Sequence, residues 1–200
     1  MPEFIVRARA ASTDPAAFLA SVGTGAHVEY LAHMMTNALM VSKGHREDTT
    51  LHLVLEDSED FSRCISLQGD RFGDLGGTTE AALLNVIKIA LQYGQGLAKE
   101  ASVLTPAGVK VTAISFEHLV KGRVAEGPVY MLDPKGEDIR EAQVPVNAVF
   151  LLTDHVPMPK KTFKSMQRQG VTKLSLGPLM LHASQCITLI QNELDRRYLS

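Results

Sequence analysis

The order of hydrophobic and polar residues divides the chain into two parts with different rhythms. In the first, apolar stretches at Glu3 to Ala8, Thr49 to Leu55 and Arg63 to Leu67 predict strands, the second of them partly alternating. Between the first two, Val28, Leu31, Met35, Ala38 and Leu39 fall within about one third of a helical wheel. That spacing predicts a helix over Val28 to Val41 with one face on a core. Thr78 and Thr79 offer caps for the segment AALLNVIKIALQYGQGLA, which is apolar around most of its circumference and reads as a helix buried between layers, ended by Gly94 and Gly96.

The final third is more regular. Pro128 to Leu132 and Ala148 to Leu152 are continuous apolar runs, the style of strands covered on both faces, and Thr172 to Leu176 is a shorter third. A polar, basic helix is predicted over Pro159 to Gln169 and a closing helix over Leu179 to Leu199. Strands alternating with helices predict an α/β fold, a largely parallel sheet with helices on both faces. With no long linker or repeat, residues 1–200 read as one domain. In the closing helix, Leu179, Ala183, Cys186, Ile187, Ile190 and Leu194 share one face while Met180, Leu181 and Leu189 lie elsewhere, so its first half is expected to be buried nearly all round.

Composition narrows the field. At 200 residues and 45% hydrophobic, the chain can bury a full core, roughly 70% of its unfolded surface. Twenty basic against 22 acidic residues give a net charge of −2, so any nucleic-acid contact must be a local patch. The best such patch is Lys160, Lys161, Lys164, Arg168 and Lys173. No apolar run reaches the ~20 residues of a bilayer span and the N-terminus lacks a secretion signal, which predicts a cytoplasmic protein. Cys64 and Cys186 stand far apart and form neither a zinc motif nor a disulfide framework, and no metal site is expected.

Parallel α/β sheets gather ligands beyond the carboxyl ends of their strands. Three loops qualify here: Asp133 to Gly136, Thr153 to Pro157, and Leu176 to Pro178. If their strands are neighbours, the loops form one pocket for a small ligand. Phosphate-loop, nucleophile-elbow and zinc-peptidase motifs are all missing, and neither Gly23-Thr24-Gly25 nor Gly94-Gln95-Gly96 has the third glycine of a dinucleotide fingerprint. Asp154 and His155, just past a strand, can serve as acid, base or positioning groups, or simply cap a turn. Cys186, on the apolar face of a helix, reads first as a structural thiol.

From Leu174 to Thr188 the sequence LSLGPLMLHASQCIT resembles the tRNA pseudouridine N1-methyltransferase family of the SPOUT class. Supporting matches keep the same order: Glu3-Phe4-Ile5, His45 to Asp48, Tyr130 to Leu132 and Gly136 to Asp138, so the likeness covers essentially the whole chain and points to its bacterial branch. The resemblance implies a C-terminal trefoil knot within about residues 128–200, a homodimer, and S-adenosylmethionine held in the knot. Carried over by position, the cofactor contacts are Leu132, Thr153, Leu174, Ser175, Leu176, Leu181 and Cys186. Three positions depart from the family pattern, with Thr153 for glycine, Gly177 for serine and Met180 for glutamate.

The implied activity is S-adenosylmethionine-dependent methylation of N1 of pseudouridine in RNA, with tRNA as substrate and neither membrane nor DNA as partner. Asp154 is the expected base and Arg46 the expected stabiliser of charge on the ring carbonyls. A different RNA acceptor, or a dimer that binds cofactor or RNA without turnover, are the alternatives. Base stacking would rest on few residues such as Phe72, with Asp48, Asp70, Arg71 and Asp74 nearby in sequence.

Overall fold

The computed structural model describes residues 1–199; Ser200, the last residue of the expected domain, lies outside the described residues. Ten strands and six helices follow in the order β1 (Glu3–Ser12), α1 (Pro15–Ala20), α2 (Glu29–Leu39), β2 (Met40–Val41), β3 (Gly44–His45), β4 (Thr50–Asp57), β5 (Arg63–Gln68), α3 (Glu80–Tyr93), β6 (Ser102–Leu104), β7 (Lys110–Ala113), α4 (Phe116–Glu126), β8 (Val129–Asp138), β9 (Val149–Thr153), α5 (Lys160–Arg168), β10 (Thr172–Ser175) and α6 (Ala183–Tyr198). Eight strands form one sheet in the order β10-β8-β9-β1-β4-β5-β7-β6, and β2 pairs with β3 separately.

From β10 to β4 every pairing is parallel; from β4 onward every pairing is antiparallel. The sequence expectation therefore holds for the half carrying β8, β9 and β10, and omits the antiparallel flank of β6 and β7 together with α4. Those strands are short and half-exposed, and α4 is too polar to show a stripe: Phe116, Leu119 and Val120 are its buried side chains.

Both faces of the sheet are covered. Phe4, Val6, Leu51, Leu53, Phe150 and Leu152 meet α1, α2, α3 and α6 on one side, while Ile5, Val54, Met131 and Leu151 meet α4 and α5 on the other. Alternation along β1 and β4 assigns neighbouring residues to opposite faces, which is why Phe4 to Val6 and Leu53 to Leu55 are unbroken apolar stretches. Helix α3 starts where Thr79 accepts the Ala82 N–H at 3.2 Å, as its capping threonine predicts.

The closing helix departs from expectation. It begins at Ala183, not Leu179, and Leu179 and Met180 are 76% and 93% exposed. The chain from Leu176 to His182 is a loop, set by Pro178 and by Gly177, whose φ of +115° is a conformation side-chain-bearing residues rarely adopt. The glycine at this departure from the family pattern thus shapes the turn. Within the helix, Cys186, Ile187, Ile190 and Leu194 do form the buried stripe. Its polar side is tied to α2, with Gln191 donating to the Ala38 carbonyl at 2.7 Å and Thr188 to Asn37 Oδ1 at 2.7 Å.

Candidate active site

The sheet order brings β10, β8 and β9 side by side. Two of the three predicted loops, Thr153 to Pro157 and Leu176 to Pro178, therefore lie along one rim at the carboxyl ends of β9 and β10; the third expectation is corrected, because Asp133 to Gly136 lies inside β8 and not after it. Leu174 is fully buried, Ser175 and Cys186 nearly so, and Leu132, Thr153, Leu176 and Leu181 half-buried, which gives the rim an apolar floor with partly open walls. The Ser175 hydroxyl is turned into its own loop, accepting the Gly177 N–H at 3.2 Å.

The pairing of β8 with β10 is broken at this rim, as that of β1 with β4 is between Ala8 and Ser12. β10 pairs with β8 at Tyr130 and Met131, then jumps to Glu137 and Asp138, so that Leu132 to Gly136 bulges out between the two registers. At the crossing, a Cβ added to Gly136 would lie 2.6 Å from the Leu174 nitrogen and 2.7 Å from the Leu174 and Lys173 carbonyl carbons. Backbone runs against backbone there, and glycine is the residue that permits it. Lys173 also bonds across the crossing, its Nζ 2.9 Å from Asp133 Oδ2. It is therefore paired and does not join the free cations of α5.

Asp154 follows β9 directly. Its backbone N–H donates to the Arg7 carbonyl at 3.1 Å, and its carboxylate accepts the Val156 N–H at 2.9 Å, so the turn-capping role is filled. Burial pushes its carboxyl above the ordinary carboxylate range, against hydrogen bonds that pull it down. Cys186 is likewise pushed up by burial, to about 11, which keeps it a thiol and not a nucleophile.

Arg46 is placed elsewhere. Its guanidinium grips Asp195 with both oxygens, at 2.8 and 2.5 Å, and the residue precedes β4, whose first residue, Thr50, pairs with Glu3. Asp154 lies past Thr153, which pairs with Arg7. The two thus sit at opposite ends of β1, at least about 13 Å of strand apart. Within one protomer Arg46 therefore clamps the far end of α6 and does not face the Asp154 rim. Asp48 has no contact with it among the described hydrogen bonds and ion pairs. Phe72 is also corrected: at 7% exposure it packs on His45, ring centres 4.6 Å apart, and offers no surface for stacking.

Sequence reasoning singled out His155 but missed the ring cluster it joins beside the rim. His27 and Tyr30 lie at the start of α2, His155 in the loop after β9, and His182 in the cap of α6; all four rings are within 6.4 Å of Tyr30 or are Tyr30 itself. The available signal was the three-residue spacing of Tyr30 and His33, which places those two along one side of α2; His27 precedes the helix and joins them through its left-handed turn. A cleft of about 910 Å³ at Ser12, Asp14, Asp57, Glu59 and Asp60 is acidic, and a second of about 500 Å³ at Lys135, Gly136, Gln167 and Thr172 flanks the crossing. Neither contains any of the seven expected cofactor residues. Among the described residues no group of His, Cys, Asp or Glu is arranged to hold a metal, and no helix is long and apolar enough to cross a membrane.

Comparisons with known proteins bear on the family and the fold. A family described as "Putative SAM-dependent RNA methyltransferase" matches residues 1–199. A protein of Vibrio vulnificus named "Putative pseudouridine methyltransferase" is 49% identical over 195 residues, 98% of each chain, and one of the same name from Alcanivorax borkumensis is 49% identical over 196 residues. Among solved structures, Archaeoglobus fulgidus Nep1 bound to S-adenosylhomocysteine superposes with a TM-score of 0.65 over 100% of this chain and 99% of that one, at 8% identity, a likeness of fold. The chain belongs to the S-adenosylmethionine-dependent RNA methyltransferase family.

Proposed function

We propose that this protein methylates N1 of pseudouridine in RNA, with tRNA as the substrate class. The observation that carries the reading is the rim itself: two loops at the carboxyl ends of the parallel strands β9 and β10 beside the bulged stretch of β8, closed by the crossing of Gly136 over Leu174. The residues there suit S-adenosylmethionine. Leu132, Leu176 and Leu181 offer apolar walls for a purine, Leu174 and Cys186 the floor, and the half-buried carboxylate of Asp154 would oppose a sulfonium charge. Thr153 belongs to the same wall. When bound, the cofactor supplies an electrophilic methyl group.

The chain's own residues position the acceptor and handle one proton. Asp154, held in its turn by the Val156 N–H, takes the N1 proton of the base, and its raised proton affinity favours that transfer. N1, freed of its proton, would be the nucleophile that accepts the methyl group the cofactor would supply. The buried floor excludes water from the reacting atoms. Lys160, Lys161, Lys164 and Arg168 on α5, none of them in an ion pair among the described residues, are positioned to meet phosphates.

We further infer that the crossing at Gly136 is part of a trefoil knot, and that the protein is a cytoplasmic homodimer. Exposed Leu179 and Met180 at the rim support a second copy covering this edge. The deciding experiment is mass spectrometry of nucleosides from cells with and without the gene, beside calorimetry with S-adenosylmethionine. Loss of N1-methylpseudouridine is expected. Loss of another methylated nucleoside would reassign the acceptor, and absence of cofactor binding would leave a non-catalytic protein.

A further inference from the structure

We propose that His27, Tyr30, His155 and His182 form a stacking platform for an unpaired base of the RNA substrate, beside the base that is methylated. The inference rests on the reading of the chain as an RNA-modifying protein and adds a binding site to it.

The rings are arranged as a corner. His27 and Tyr30 lie parallel, 7° apart in orientation with centres 5.1 Å apart, while His155 stands across them at 79° to His27 and 77° to Tyr30. His182 closes the other side of Tyr30 at 5.6 Å and 63°. Such a corner accepts a flat ring face against one plane and its edge against the other. His33, also near Tyr30, is held instead by Glu80 at 3.0 Å and serves as a flank. Four of the chain's seven histidines thus converge around one tyrosine.

Core packing explains only one side of Tyr30, which rests against the main core, and not the histidines around it. His155, His182 and His33 are exposed, and His27 and Tyr30 half-buried, so the rings present surface to solvent. His27 moreover holds a left-handed φ of +48°, a conformation that costs a side-chain-bearing residue about 1–2 kcal/mol, whereas glycine would adopt it freely. The residue kept there is the one whose ring lies on Tyr30.

Position and charge select the occupant. His155 adjoins Asp154, and His182 adjoins Leu181, so the corner is continuous with the candidate active site. From His155 the chain reaches Lys160, the first cation of α5, within five residues, at most about 18 Å. An imidazole–phenol corner next to a row of free cations matches a single-stranded nucleic acid, with phosphates on α5 and a base on the rings. An isolated apolar peptide would have no use for the cations.

The test uses full-length protein, an RNA hairpin carrying pseudouridine in its single-stranded loop, and a salt series. Tyr30→Ala is expected to weaken RNA binding about 5- to 100-fold, with the salt dependence and the affinity for S-adenosylmethionine unchanged, and Tyr30→Phe to restore binding. His155→Ala should follow Tyr30→Ala, and Lys161→Ala with Lys164→Ala should instead reduce the salt slope. Wild-type affinity in Tyr30→Ala with intact cofactor binding, or no RNA binding by the wild type, overturns the platform. Tyr30-dependent binding without methyl transfer to pseudouridine would keep the platform and overturn the proposed reaction. Equal methylation by wild type and Tyr30→Ala at subsaturating RNA would do the reverse.

Discussion

Gly136→Ala tests whether β8 and β10 touch backbone to backbone where the candidate cofactor rim closes. The new methyl would sit 2.6 Å from the Leu174 nitrogen, with two carbonyl carbons at 2.7 Å, where ordinary contact begins near 3.4 Å. The crossing must therefore open by about 0.8 Å, and because the obstructing atoms are backbone, no rotamer change can absorb it. Forced overpacking of this kind costs about 1–3 kcal/mol. For a chain of this length that lowers the melting temperature by roughly 2–12 °C. The same displacement parts Leu132 from Leu174 and Leu176, so S-adenosylmethionine should bind at least about tenfold more weakly, a loss of about 1.4 kcal/mol. Thermal unfolding and calorimetry of the purified variant measure both. A melting temperature within 1 °C of wild type (roughly the scatter of the assay, below the smallest shift expected) together with unaltered cofactor affinity would refute the reasoning. Gly122→Ala is the companion control: it lies in mid α4 with nothing within 4 Å of a new Cβ, and should stabilise by about 0.5–1 kcal/mol.

The remaining expectations concern charge. Arg46→Met should lower stability by about 1–2 kcal/mol by stranding Asp195, while methyl transfer at saturating cofactor stays within about threefold, as measured by denaturant unfolding and single-turnover assay. Asp154→Asn should fold normally but lose most of the methylation rate, with cofactor binding retained. Buried His52 has its pKa raised to about 9: burial opposes its charge, and contacts to Cys64 and Glu3 outweigh it. A raised folded value means stability that is complete below about pH 6.5 and declines as pH climbs through 9, a decline that His52→Gln should abolish in a pH series of unfolding curves. Cys186, buried and shifted to about 11, should resist alkylation by iodoacetamide at pH 8 in the folded protein and react once unfolded.

Sequence alone determined the parallel half of this protein. Ala148 to Leu152 needed no partner to be read as a strand, because burial on both faces demands an unbroken apolar run; Thr172 to Leu176 is a mixed run on the edge of the sheet, and β9 and β10 lie within a residue of the expected bounds. The resemblance carried by Leu174 to Thr188 named the family and its cofactor. Tertiary structure decided what depends on contacts between distant residues. Arg46 looked available until Asp195, 149 residues on, was found in its grip. Phe72 looked like a stacking ring until His45 covered it, and Leu179 and Met180 looked like core until the Gly177 turn kept them out of the helix. Periodicity reports which face of an element is apolar; it carries no information on which distant group meets that face, and so the imidazole corner around Tyr30, assembled from three separate segments, became visible only in the fold.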